Sequence, residues 1–409
     1  MKITELIDNP QVSFDYCIKC TICNTVCPVS SVFPYFPGPK YLGPDSERYR
    51  LQNRFPVEDV SAFCMNCKRC EEICPSDVQI THFIEEDKYR QKKTIRKKLR
   101  SLFFIYIDLV GKLATSVSIL TNVVLKLGMV RLVMEWFLAI EKKRRLPEYN
   151  SGTFISYFRK NYRPPERPAM TIHFFHGCNI NYNQKLLGVD FLKFCHRHNI
   201  EVKIPPQKCC GIPIASAGDA TAYRKRVDYH FPIFWDILRK GDIITGVSSS
   251  CIMALNTDYL RHIPLEGESK EQYHKGIIYF NDLLEKMERK GIPLKIEKKY
   301  KRLIYHVPCH VKYSTQQAKT IALLRRLTDN LVIMDEHCCG IAGSYGMKKE
   351  NYSISQSVGS LLFQQISSHL REEEGILVSD CETCRMQIAE NTRKKIYHPL
   401  ELMENNIPE

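Results

Sequence analysis

The sequence predicts an α+β multidomain chain with three kinds of part: an α-helical, cysteine-dense amino-terminal domain, an apolar helical segment, and a duplicated α/β cysteine-rich domain. Three observations predict it. Eight cysteines form two equal quartets, Cys17 to Cys27 and Cys64 to Cys74. The stretch Leu102 to Ile140 is strongly apolar and edged with lysine and arginine. Three cysteine landmarks then recur in one order across the remainder. These place the parts at residues 1–95, 96–150, 170–290 and 300–400, the last two being the copies.

The amino-terminal domain is the most legible. Cys17-x-x-Cys20-x-x-Cys23-x-x-x-Cys27-Pro28 is followed by Cys64-x-x-Cys67-x-x-Cys70-x-x-x-Cys74-Pro75. This is the spacing of a bacterial two-cluster ferredoxin. Cysteines three positions apart meet three corners of one iron–sulfur cube, and the fourth, beyond a turn, reaches the other cube. One [4Fe–4S] cluster is thereby assigned Cys17, Cys20, Cys23 and Cys74, and the other Cys64, Cys67, Cys70 and Cys27. Zinc pairs look similar locally, but two equal quartets each ending Cys-Pro argue against them. The long spacer from Val29 to Phe63 favours a helical ferredoxin domain over a small β-rich one. Lys19, Lys40, Lys68 and Arg69 could raise cluster potentials, dock an acidic partner, or be solvated surface.

Composition sets the redox setting. The 409-residue chain holds 18 cysteines and a formal charge of +14. That length supports two or three domains. Met1 to Glu5 lacks a positive-then-apolar leader, so reduced thiolates are expected in place of a disulfide framework. The positive charge fits nucleic acid, an anionic membrane or an acidic partner. Because the basic groups gather around apolar helices without interleaved aromatic stacking residues, no nucleic-acid partner is expected.

In the middle segment the longest uncharged run, Leu113 to Leu125, is too short to span a bilayer. Two apolar helices lying in the membrane interface are expected. Arg96, Lys97, Lys98 and Arg100 on one side, and Lys142, Lys143, Arg144 and Arg145 on the other, would meet headgroups. The same face could dock a partner, and the competing reading is plain core against the second domain.

The duplication rests on matched text. His176-Gly177-Cys178 is answered by Pro308-Cys309-His310, Cys209-Cys210-Gly211-Ile212 by Cys338-Cys339-Gly340-Ile341, and Cys251-Ile252-Met253 by Cys384-Arg385-Met386. Thr171 to Phe175, Asp242 to Val247, Leu303 to Val307 and Gly375 to Ser379 read as buried strands, with helices over Tyr223 to Arg239 and Ser353 to His369. The cysteines then follow strands, where open parallel sheets place sites. Adjacent cysteines point apart, and the following glycine permits a tight turn. Copy one offers Cys178, Cys209, Cys210 and Cys251 for a further cluster. Copy two offers five, Cys309, Cys338, Cys339, Cys381 and Cys384, a set suited to a non-cubane cluster or to redox or substrate contact. Ser248 stands opposite Cys381. Cys195 matches no landmark and reads as structural. His176, His310 and His337 flank ligand cysteines as hydrogen-bond donors, proton shuttles or plain support. Gly343, Tyr345 and Gly346 shape the loop beside the second set, and Tyr182 and Tyr313 occupy equivalent offsets.

With both cysteine classes in view, the chain resembles the C-subunit family of anaerobic glycerol-3-phosphate dehydrogenases over nearly its whole length. Cys17-Ile18-Lys19-Cys20-Thr21, Pro37-Gly38-Pro39-Lys40, Phe175-His176-Gly177-Cys178, Cys338-Cys339-Gly340-Ile341-Ala342-Gly343 and Asp380-Cys381-Glu382-Thr383-Cys384 carry the match. The resemblance implies that flavin-bearing (FAD/FMN) partners, the A and B subunits of the same dehydrogenase, oxidise sn-glycerol 3-phosphate. It implies that the present chain passes their electrons through iron–sulfur clusters to menaquinone, anchored peripherally at the cytoplasmic face of the bacterial inner membrane. The double-cysteine copies are similar to those of heterodisulfide reductase subunits, which hold unusual iron–sulfur centres. A thiol–disulfide oxidoreductase of that type is the alternative, and a zinc-bound scaffold a more distant one. No glycine-rich dinucleotide fingerprint is present, so no catalytic residue for alcohol oxidation is assigned.

Overall fold

The computed structural model describes residues 10–52, 59–91, 93–296, 299–312 and 314–404. Met1 to Glu5 and Tyr313 lie outside them, as does part of the Val29–Phe63 spacer.

Among the described residues up to 91 there is no strand; the domain is built from short helices. The one-turn helices Ile22–Thr25 and Arg69–Glu72 each sit inside a cysteine quartet, and α1 (Ile80–Arg90) packs beside them. The expected helical ferredoxin-type domain is what forms.

The middle segment folds as four helices where two were expected: α2 (Ile95–Ile105), α3 (Ile107–Ser116), α4 (Ser118–Val124) and α5 (Gly128–Leu138). Their amphipathicity is inverted. The buried positions include Arg100, Ser101, Gly111, Thr115, Ser118, Arg131 and Glu135. The apolar side chains face out: Ile119 is 81% exposed, Met129 80% and Trp136 60%, with Leu109, Leu113, Leu120 and Leu132 beside them. Of the charges that interrupt the run in sequence, Asp108, Arg131 and Glu135 form its inward, tethering face, whereas Lys112 and Lys126 stay exposed. Arg131 donates to the carbonyls of Glu141 at 2.8 Å and Lys142 at 3.3 Å. No single helix among the described residues is long and apolar enough to cross a membrane; α3 and α4 qualify only as a pair, bent by 106°.

Two of the expected lipid-facing cations are turned inward instead. Arg100 pairs with Glu350 at 2.7 Å. Arg144 is buried, donating to the Gly346 carbonyl at 3.0 Å and to Glu390 at 3.1 Å, with its guanidinium over the Tyr352 ring. A guanidinium satisfies several acceptors at once, which makes it the better internal clamp.

The duplication is explicit in the sheets. Strands β1 (Met170–Phe174), β2 (Ile200–Lys203), β3 (Ile244–Gly246) and β4 (Ile277–Tyr279) form a parallel sheet of order β2-β1-β3-β4. Strands β5 (Leu303–His306), β6 (Leu331–Met334), β7 (Ile376–Val378) and β8 (Ile396–Tyr397) repeat it as β6-β5-β7-β8. All four expected strands are present, and β2, β4, β6 and β8 are additions. The expected helices form as α6 (Ala220–Leu238) and α7 (Tyr352–Glu372). Nearly every strand position is buried in β1, β3, β4 and β5, as expected when helices cover both faces of a parallel sheet.

Candidate thiol-rich metal centres

Each sheet reverses strand order beside its first strand, and in such sheets the crevice lies off the carboxyl ends at that point. The chain uses it twice. Cys178 follows β1, Cys209 and Cys210 follow β2, and Cys251 follows β3; Cys309, Cys338, Cys339, Cys381 and Cys384 follow β5, β6 and β7 in the same way. In copy one Cys178 contacts Cys209, and the Sγ atoms of Cys210 and Cys251 are 3.3 Å apart. In copy two Cys309 and Cys338 are 3.4 Å apart and Cys339 and Cys384 3.2 Å, with Cys381 against Cys384. These separations are far beyond a disulfide bond of about 2.05 Å.

The glycine of each double-cysteine motif has a local reason. Gly211 and Gly340 take φ of 93° and 85°, in the left-handed region. A Cβ on Gly340 would lie 2.0 Å from the Ser355 carbonyl, and one on Gly211 2.7 Å from the Tyr223 ring.

The copies differ at one cap. Ser248 is the N-cap of the helix Ser249–Met253, accepting from the Cys251 N–H at 3.4 Å and donating to Glu382 at 2.9 Å. Cys381 occupies the same cap position before Glu382–Thr392. The serine at this position caps a helix and ties copy one to copy two.

In the amino-terminal domain one small cavity is lined by Cys17, Cys20, Cys23 and Cys74, and a second by Cys27, Cys64, Cys67 and Cys70. The fourth cysteine of each quartet crosses to the other's cavity. The cysteine loops are matched in backbone too. Lys19 and Thr21 have φ of 60° and 63°, and Asn66 and Lys68 have 53° and 60°. Left-handed residues here cost on the order of 1–3 kcal/mol each, and alternation of this kind turns successive N–H groups toward one anionic point.

Electrostatics supports the fit of these residues to metal centres. Burial pushes the Cys64 thiol up to about 11, and burial with Cys17 and Cys74 nearby does the same to Cys23. In the copies, a hydrogen bond from Cys178 holds Cys209 well below the usual thiol range, and one from Cys309 does so for Cys338. Crowded buried thiols ionise together only beside a cation, which is what iron supplies.

The two kinds of centre are contiguous. Cys67, in the second amino-terminal cavity, lies against Cys309 of copy two. Cys338, Tyr345, Ile354 and Val358 belong to the same hydrophobic core as Phe14, Phe83 and Ile84. Lys68 is buried and ion-paired with Asp258, so it clamps domains together and is not free to dock a partner. Lys40 pairs with Asp45 at 2.7 Å. His310 Nδ1 lies 3.2 Å from Ser250 Oγ of copy one, His176 Nδ1 lies 2.8 Å from the Gly177 carbonyl, and His337 is near Glu336 at the surface. Cys195 is fully buried in the core.

Sequence reasoning passed over His306 and Asp108. His306 ends β5, three residues before Cys309, and lies with Cys339 and Cys384; the strand-end position was the available signal. Asp108, on α3, accepts from the Cys209 N–H at 3.1 Å and pairs with Arg226 at 2.7 Å. Nothing local in the sequence announces that long-range contact.

These features define a class: an iron–sulfur electron-transfer protein joining a dicluster domain to a duplicated cysteine-rich domain. Residues 13–78 match the family model of the 4Fe-4S dicluster domain, and residues 172–256 and 303–389 each match that of the cysteine-rich domain. The chain belongs to the family of the anaerobic glycerol-3-phosphate dehydrogenase C subunit. It is 36% identical to the member from Escherichia coli K12 over 96% of this chain and 98% of the relative. It is also similar to an uncharacterized iron–sulfur protein of Methanocaldococcus jannaschii, at 24% over 92% of this chain and 68% of that protein. A third relative is the B subunit of the fumarate reductase (CoM/CoB) of Methanothermobacter marburgensis, at 23% over 95% and 71%.

Proposed function

We propose that this chain is the electron-transfer and membrane-anchoring subunit of an anaerobic sn-glycerol-3-phosphate dehydrogenase. It accepts electrons from the flavin-bearing A and B subunits and delivers them to menaquinone. The observation that carries this reading is the Cys67–Cys309 contact, which makes one thiol-lined path of the amino-terminal domain and copy two. Two [4Fe–4S] clusters, held by Cys17, Cys20, Cys23, Cys74 and by Cys64, Cys67, Cys70, Cys27, supply one-electron storage and transfer. The cysteines of the copies hold one or two further iron–sulfur centres.

The chain's own residues do the rest. The outward face of α2–α5 seats the protein in the interfacial layer of the cytoplasmic leaflet, as an apolar face of this breadth on a soluble surface indicates an interaction site. Asp108 fastens that layer to the Cys209 loop. A mostly apolar cavity of about 340 Å³ lies between the layer and the thiol sites, lined by Phe104, Val110, Ala114, Cys178, Cys251 and His310 among others. Its apolar wall suits a quinone ring, and His310 stands on its polar side.

The test is anaerobic purification of the complex with its partner subunits. Iron and acid-labile sulfide are quantified, and glycerol-3-phosphate-dependent reduction of a menaquinone analogue is measured against disulfide substrates. Iron beyond eight atoms per chain with quinone turnover is expected. Rapid disulfide turnover without quinone turnover would replace this reading with the heterodisulfide-type one. Zinc without iron and sulfide would exclude both.

A further inference from the structure

His306 is only 3% exposed, yet neither ring nitrogen makes a hydrogen bond. The Met334 carbonyl lies close enough to orient the ring electrostatically, without good hydrogen-bond geometry. A buried polar group without partners costs on the order of 1–3 kcal/mol, so such a group calls for an explanation. Its surroundings supply one. A ring nitrogen of His306 and the Sγ atoms of Cys339 and Cys384 lie within 4.8 Å of one another, all three side chains being buried. The two sulfurs are 3.2 Å apart. A tetrahedral metal with sulfur at about 2.3 Å and nitrogen at about 2.0–2.1 Å spaces its donors by roughly 3.6–3.8 Å, so modest side-chain shifts accommodate one.

The position is specific to copy two. Aligning Cys178 with Cys309 places Phe175 opposite His306. Phe175 sits in an aromatic cluster with His230 and Phe234. Copy one thus lacks both this imidazole and the thiol that Ser248 replaces.

We propose that His306 is a nitrogen ligand of the metal centre in copy two, binding the same metal ion as Cys339 and Cys384. The Met334 carbonyl near the ring fits this role, because metal-bound histidines are commonly oriented by such groups. The centre of copy two is then a mixed nitrogen–thiolate site, with a ligand at a position where copy one carries Phe175. A nitrogen ligand in place of thiolate raises the potential of an iron–sulfur centre, which would set the two copies apart as electron sites. The inference rests on the reading that copy two holds an iron–sulfur centre.

The test is pulsed electron paramagnetic resonance of the whole complex, purified anaerobically from cells fed ¹⁵N-histidine and from unlabelled cells. A strongly coupled nitrogen that changes with the isotope is expected on one centre, absent in His306→Ala and present in His310→Ala. A wild-type spectrum without such a nitrogen overturns the proposal by itself, so a poorly folding variant does not protect it. Persistence of the coupling in His306→Ala, or its loss only in His310→Ala, also overturns it. Iron and sulfide counts separate the two levels: iron in copy two without nitrogen coupling sinks only the histidine ligand, whereas no metal in copy two sinks both.

Discussion

A side chain at position 340 has nowhere to go. Its backbone is left-handed and its Cβ would strike the Ser355 carbonyl. Gly340→Ala should therefore lower stability by at least about 1–3 kcal/mol from backbone strain alone, and should deplete iron from copy two, read by denaturant unfolding and metal analysis together. Tyr345 offers a gentler probe. It is buried with its hydroxyl unpartnered, and burial, with Cys64, Cys27, Cys338 and Cys67 nearby, pushes that hydroxyl toward its protonated form. A hydrogen bond from that hydroxyl to a cluster sulfur, at about 1 kcal/mol, corresponds to roughly 40 mV in a one-electron couple. Tyr345→Phe should lower one potential by that order in a redox titration followed by paramagnetic resonance; unchanged potentials would deny the hydroxyl that role. His82 bears on acid stability. Burial, with Arg261 and His262 nearby, holds it down to about 4 from 6.5. The unfolded chain therefore takes up this proton first, so stability is full above about pH 6.5 and declines as pH falls toward 4. Burial shifts His398 the same way. Denaturant midpoints between pH 7.5 and 5 should fall with pH, and His82→Asn should flatten part of that slope.

At the scale of elements, α2–α5 is where the expectation from sequence needed most revision. The apolar content was readable, because 25 large apolar residues between Leu102 and Ile140 exceed what a small core consumes. The number of helices and the direction of the charges were not. Charge in a sequence ordinarily signals solvent, but Arg131 and Glu135 point inward here and bind backbone and side-chain partners across the fold. Deleting the whole segment would remove the Asp108 support of Cys209 as well as the apolar face, confounding anchoring with integrity. The pair Ile119→Glu and Met129→Glu isolates the face. It should abolish flotation with anionic liposomes while shifting unfolding by no more than about 0.5 kcal/mol, as surface substitutions do. Undiminished flotation would point to a protein partner for this layer.

The whole molecule is held together at its domain junctions by buried charge. Lys68 meets Asp258, and Arg261 approaches Glu85 at 3.7 Å. Removing one partner strands the other: Asp258→Ala should cost about 3–5 kcal/mol and, in calorimetry, separate the melting of the amino-terminal domain from that of the copies. The double change Lys68→Met with Asp258→Leu should restore most of the loss, since matched apolar replacement of a buried pair is often neutral. A single unchanged transition in Asp258→Ala would mean that the shared core around Cys338 and Tyr345 couples the domains without the ion pair.

The sequence by itself determined the sets of cysteines, the helical character of the first domain and the duplication. Metal coordination demands particular donors at particular spacings, so its signature is local. Four strands matched for the same reason: a short run of β-branched and aromatic residues before a cysteine is a local pattern. Only the tertiary structure decided which thiols of different domains touch, that Ser248 caps a helix where Cys381 stands in the other copy, that Arg100 and Arg144 face inward, and that His306 joins Cys339 and Cys384. Each of these depends on residues brought together from opposite ends of elements or from different domains. The energy that selects them, burial with most polar groups paired, is a property of the packed whole and leaves no mark in any short stretch of the chain.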